Sequence, residues 1–113
     1  MAIQKQTLKI LEPQLVVTAN PQRLTTNQDI IVRSVSIQSA EGNIGLLYVT
    51  NKESLATSFN RLVIPNPYDI VIIKPDNYAE LDGYLKLYDL WVHGSDVGDR
   101  FVVSYVEYTE RLF

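Results

Sequence analysis

The sequence predicts an all-β domain, a single β-sandwich (jelly-roll-like) or barrel of about seven to eight mostly antiparallel strands. Three observations point there. Short runs rich in Val, Ile, Tyr and Phe recur along the chain, and such side chains suit a pleated, half-buried surface. Clusters of Gly, Asn, Asp and Pro separate the runs. All five prolines fall between runs or at their ends, where a residue without an N–H breaks no central ladder.

The runs follow in order. Residues 6–11 (QTLKIL) stop before Glu12-Pro13, and 14–18 (QLVVT) stop before Asn20-Pro21. Residues 29–38 (DIIVRSVSIQ) lead to the turn Glu41-Gly42-Asn43, then 45–50 (GLLYVT) follow. Residues 61–64 (RLVI) end at Pro65-Asn66-Pro67, and 68–74 (YDIVIIK) at Pro75-Asp76-Asn77. Residues 84–92 (YLKLYDLWV) and 100–108 (RFVVSYVEY) flank the turn at Gly94-Ser95. Between 50 and 61 the only helical candidate is 52–60, one or two turns with Asn51 as N-cap.

Alternation assigns faces. Val35 and Ile37 share one side of their strand, and Ser34, Ser36 and Gln38 share a wet one. Phe101, Val103 and Tyr105 alternate with Val102, Val106 and Tyr108, so this strand is apolar on both sides. Leu85, Leu87 and Trp91 alternate in the same way with Tyr88, Leu90 and Val92. A two-sided strand is either central with its outer side covered or part of an interface.

A length of 113 residues fits one domain, 1–113, with 46% hydrophobic residues, enough for one core. Residues 1–20 are a candidate N-terminal arm and 109–113 a short C-terminal tail. Apolar Ile3, Leu8, Ile10 and Leu11 near one end, and Leu112-Phe113 at the other, suit arms that pack on a neighbouring subunit, or an edge strand paired within the chain. The formal net charge is −3, and no two of the ten basic residues are adjacent, which argues against direct nucleic-acid binding. No signal-like segment opens the chain and no apolar stretch has membrane-crossing length, so a soluble protein without a membrane partner is expected.

The search for chemistry gives little. There is no cysteine, so thiolate nucleophiles, disulfides and cysteine-ligated metal are excluded. The single histidine, His93, has Ser95 and Asp96 near it in sequence, but a triad is defined by geometry, and a turn histidine is the simpler expectation. Asp96 and Asp99 flank Gly98. They suit a polar hairpin turn better than a calcium loop, which needs 6–8 oxygen ligands. Asp76, Glu80 and Asp82 read as a solvated loop, with Asp82-Gly83 a turn. The stretch 41–45 (EGNIG) reads as a turn, since a phosphate-binding loop needs a lysine and a following helix. No catalytic, cofactor-binding or metal residues are assigned, and no enzyme activity is expected.

Seven tyrosines exceed what a small core needs, and tyrosine is enriched at interfaces because it joins an apolar body to a polar tip. The interface candidates are Ile3, Leu8, Ile10, Tyr84, Tyr88, Tyr108, Leu112 and Phe113.

Three stretches, 33–50 (RSVSIQSAEGNIGLLYVT), 61–75 (RLVIPNPYDIVIIKP) and 87–106 (LYDLWVHGSDVGDRFVVSYV), together carry a resemblance. Their order is similar to that in small β-sandwich structural proteins of tailed bacteriophage virions, among them capsid cement (decoration) proteins and head-fibre or tail accessory proteins. The resemblance implies a virion role without deciding the part of the virion; the leading expectation is a homo-oligomeric cement protein on the capsid surface that bridges subunits of the major capsid protein or another virion protein. A head-fibre, neck or tail accessory role is the alternative. From another class, Trp91, Tyr88 and Tyr84 suggest a sugar-stacking platform in a carbohydrate-binding module, although Trp91 alternates with Leu85 and Leu87 as a core residue would.

Overall fold

The computed structural model describes residues 2–12, 14–53, 61–74 and 85–112, and for 2–7 and 108–112 the backbone alone. It is an all-β protein of two antiparallel sheets with a shared apolar core, as a β-sandwich requires. The strands are β1 (Ala2–Ile10), β2 (Leu15–Val16), β3 (Gln22–Arg23), β4 (Ile31–Ser39), β5 (Leu47–Thr50), β6 (Leu62–Ile64), β7 (Ile70–Ile73), β8 (Leu85–Lys86), β9 (Trp91–Gly94) and β10 (Arg100–Leu112).

The larger sheet runs β1-β10-β4-β7, with β2 also on β10 and β8 also on β4. Both outer columns are therefore shared by two strands. β1 and β2 take successive stretches of β10, and β7 and β8 take successive stretches of β4. The smaller sheet runs β3-β9-β5-β6.

Between the sheets lie Val35 and Ile37 of β4, Phe101, Val103 and Tyr105 of β10, Leu47 and Val49 of β5, Val92 of β9 and Ile64 of β6. Each such residue contributes roughly 1.5–3 kcal/mol by leaving water. A bulge in β4 keeps the pattern inward. Between Tyr105↔Val35 and Glu107↔Val32, β4 advances three residues while β10 advances two, so Arg33 and Ser34 share one position. Val32 and Val35 thus both face the core.

The run 84–92, expected as one strand, is not one. Lys86 and Leu85 pair with β4 in the larger sheet, whereas Trp91 and Val92 pair in the smaller. A 3-10 turn at Leu87–Asp89 carries the chain across. Leu87 N–H donates to Ile30 O at 3.2 Å, and Leu24 N–H donates to Leu90 O at 2.8 Å. The apolar residues on both sides of this run arise because it passes through the core, with Leu87 and Leu90 buried on the way.

The N-terminal residues pair within the chain. β1 runs beside β10 from Ala2↔Leu112 to Ile10↔Ser104. β4 leaves β10 at Glu107↔Val32, so the pairs beyond form a two-stranded ribbon that lengthens the molecule to 49 × 26 × 22 Å. Residues 109–112 of the expected tail are strand. Residues 54–60 of the helical candidate and the acidic loop 76–82 lie outside the described residues. Among the described residues no helix is long and apolar enough to cross a membrane.

Candidate functional site

Three groups of side chains stand out, and each has a different use. The first joins the turns at one end of the sandwich. Asp99 is buried, and its carboxylate accepts from Ile44 N–H (3.1 Å to Oδ1) and Gly45 N–H (2.8 Å to Oδ2). Asn43 sits beside it. Its amide donates to Ser39 Oγ (2.9 Å) and Arg100 O (2.7 Å), and its Oδ1 accepts from Arg100 N–H (2.8 Å). Both turns, Ala40–Asn43 and Asp96–Asp99, close with a backbone bond and place glycine at the third position with positive φ, Gly42 at 87° and Gly98 at 99°. Asp99 therefore works as a tie between turns. Among the described residues no group of three or more His, Cys, Asp or Glu is arranged to hold a metal ion.

Ser95, Asp96 and His93 do not assemble as a triad. Ser95 Oγ donates to Asp96 Oδ2 at 2.9 Å and accepts from Leu46 N–H at 2.8 Å. His93 lies on the outer side of the smaller sheet, 6.4 Å from the Tyr48 ring, and its buried Nδ1 has no hydrogen-bond partner. Burial lowers its pKa, and the Arg61 charge lowers it further.

The second group is that outer side of the smaller sheet. Arg23 lies over the Tyr88 ring at 3.8 Å and over the Trp91 ring at 4.6 Å, and donates to Tyr88 O at 2.7 Å. Arg61 lies over Tyr48 at 3.4 Å. Tyr88 and Trp91 each give a ring face to the Arg23 guanidinium, and such stacking is favourable in itself. That face of each ring is unavailable to a sugar. Tyr84, the third member of the expected platform, lies outside the described residues.

The third group is the outer face of the larger sheet. Residues directly opposed in an antiparallel pair share a face. One row reads Ile10, Ser104, Ser36, Ile72, and the next reads Val102, Gln38, Ile70. Leu8 opposes Val106 in a third row. The outer columns stand up: Leu8, Ile10, Ile70 and Ile72 are 69%, 59%, 54% and 56% exposed. The inner columns, with Ser34, Ser36, Gln38, Val102, Ser104 and Val106, are half-buried and form a floor. None of these ten side chains is charged. Charge flanks the face among the described residues: Arg100, opposite Val16, lies with Glu41 at one end, and Arg33 at the bulge and Lys86 opposite Ile31 lie at the other.

Of the interface residues read from sequence, Leu8 and Ile10 fall together on this face. Tyr88 lies in the Arg23 stack instead. Ile3, Tyr108 and Leu112 lie in the paired ribbon, where only the backbone is described, and Phe113 lies outside the described residues. Ile70 and Ile72 escaped the sequence reading. Their signal was the unbroken IVII of 70–73, apolar at every position although the strand is at the sheet edge.

Comparison with known protein families, with curated proteins and with solved structures finds no match to this chain.

Proposed function

We propose that this chain is a non-catalytic structural protein that docks on another protein through the outer face of its larger sheet. Its setting in this proposal is the phage capsid, where it acts as a cement protein across the seams between shell subunits. The observation that carries the docking reading is the uncharged face on which four large aliphatic side chains stand more than half exposed. Large aliphatic side chains exposed together on one sheet face, Leu8 with Ile10 and Ile70 with Ile72, are a mark of interaction surfaces. Water gains from the removal of these side chains on contact, and the absence of charge means that no ion needs to be desolvated there.

The capsid setting is supported by the resemblance of 33–50, 61–75 and 87–106 to small virion β-sandwiches. In such a setting many copies repeat one modest contact, and the sum resists the pressure of packaged DNA.

The test is quantitative mass spectrometry of purified virions from the phage that encodes the chain. Hundreds of copies per particle support a cement role. Six or twelve would move the proposal to a neck, tail or fibre component, and absence from the particle would reject a virion role. Particles stripped of the protein should then release DNA at a lower temperature, and an unchanged temperature would reject cementing.

A further inference from the structure

We infer that the cleft at the turn end of the sandwich, walled by Gln14, Gln38, Glu41, Tyr68 and Arg100, is a saccharide-binding site with the Tyr68 ring as its stacking face. The inference goes beyond the docking reading and does not depend on it.

Backbone strain is the first argument. Asn66-Pro67-Tyr68-Asp69 is a turn closed by Asp69 N–H donating to Asn66 O at 3.1 Å. Proline stands second in it, and the third residue, Tyr68, has a φ of 69°. A positive φ at that place marks a type II turn, where glycine or asparagine is the ordinary occupant. Tyr68 is the only non-glycine residue with positive φ among the described residues, and a bulky side chain there costs free energy that glycine does not. Turn closure alone does not call for a tyrosine. Its position is fixed by three bonds: Tyr68 N–H donates to Ser39 O at 2.8 Å, Gln38 Nε2 donates to Tyr68 O at 3.1 Å, and the hydroxyl donates to the Glu41 carboxylate. The side chain is still 61% exposed. Arg23 covers one face each of Tyr88 and Trp91, whereas no described ring or cation stacks on Tyr68.

The chemistry of the cleft is the second argument. It measures about 480 Å3, within the range of roughly 300–1,000 Å3 common to small-molecule sites. Its floor is fixed, because Asn43 and Asp99 direct their polar atoms to the two turns. Its walls present a carboxylate (Glu41), a guanidinium (Arg100) and two carboxamides (Gln14 and Gln38), so donors and acceptors converge on one space. Glu41 and Arg100 form no ion pair with each other, and both charges are open to a ligand.

These groups select the class of ligand. An anion meets Glu41 and a cation meets Arg100, so a ligand of a single sign faces a like charge, which costs affinity. A small zwitterion matches the two charges but leaves the carboxamides unused. A pyranose is neutral and carries around its rim hydroxyls that are each donor and acceptor. Adjacent hydroxyls can bridge the paired polar atoms of a carboxylate, a guanidinium or a carboxamide, while the C–H face of the sugar lies on the tyrosine ring.

The experiment places the full, fluorescently labelled chain on an array of immobilised mono- and oligosaccharides, neutral and charged. The best-bound glycan is then titrated into the 15N-labelled chain. It is expected to be neutral and to shift the amides of 40–43, 68–69 and 98–100. Its affinity should fall about tenfold or more in Tyr68→Gly, and about tenfold in each of Glu41→Gln and Arg100→Gln. All three positions are exposed, and the urea midpoint should be unchanged in each. In Tyr68→Gly the relief of strain offsets the lost bond to Glu41. No glycan bound, or shifts confined to the smaller sheet around Trp91, would overturn the site. Full binding by both Tyr68→Gly and Arg100→Gln would overturn it as well. Glycine, added as a zwitterion, shifting these amides where no glycan does would overturn the saccharide. None of these results bears on Leu8, Ile10, Ile70 or Ile72, so the docking reading stands or falls separately.

Discussion

Asp99 is the residue on which the end of the sandwich depends. Its buried carboxylate is the acceptor for two backbone N–H groups of the neighbouring turn. Asp99→Ala leaves them unsatisfied and is expected to cost about 3 kcal/mol, with Asp99→Asn losing less because one acceptor remains. Urea unfolding of the two variants checks the order. Gly45 belongs to the same tie, since a Cβ there would land in the Asp96 carboxylate, whereas a Cβ at Gly42 meets nothing. His93 gives a pH prediction. Its folded pKa lies below the ordinary value of 6.5, from burial first and the Arg61 charge second. The unfolded chain then binds its proton at higher pH than the folded one. Stability is expected to fall as pH drops through 6.5 towards the folded value, and to lose nothing further from this group below it. His93→Gln should flatten the urea midpoint between pH 7 and 5.5, and an unflattened profile would place the titrating group elsewhere. The sequence announced Asp99 as a turn residue, but the tie is between turns more than 50 residues apart in the chain. No local pattern encodes that.

At the scale of elements, most strands were legible because their apolar residues alternate. β4 and β10 read correctly along their inner sides. Failures follow from chain path. The stretch 84–92 has strand composition throughout, yet Leu87 and Leu90 are apolar because a crossing between sheets buries them. β3 has no apolar residue to signal it; Gln22 and Arg23 are strand because they pair with β9. Two elements separate packing from docking. Leu87→Ala in the crossing should cost about 3 kcal/mol by transfer and cavity terms. Ile72→Ser on the exposed side of β7 should leave stability within about 0.5 kcal/mol of the parent. Comparable losses in both would mean that Ile72 is a core residue, and the docking face would lose a ridge. Leu8 and Ile10 were visible as apolar residues near the start of the chain. Ile70 and Ile72 were hidden, since a short apolar run reads equally as a buried central strand.

For the molecule as a whole, the two sheets have different exteriors. The smaller sheet covers its outer side with its own arginines, stacked on Tyr48, Tyr88 and Trp91. The larger sheet carries on its outer side exposed aliphatic columns, Leu8 with Ile10 and Ile70 with Ile72, about an uncharged floor of Ser, Gln and Val side chains. The ten described side chains at the centre of that face carry no charge. That face is the centre of the functional account. The direct test is hydroxyl-radical footprinting of the protein alone and in its native assembly. The account predicts strong protection of Leu8, Ile10, Ile70 and Ile72 on assembly, with Trp91, Leu62 and Val63 of the smaller sheet unchanged. Protection of Trp91, Leu62 and Val63 with the four aliphatic residues still reactive would contradict it.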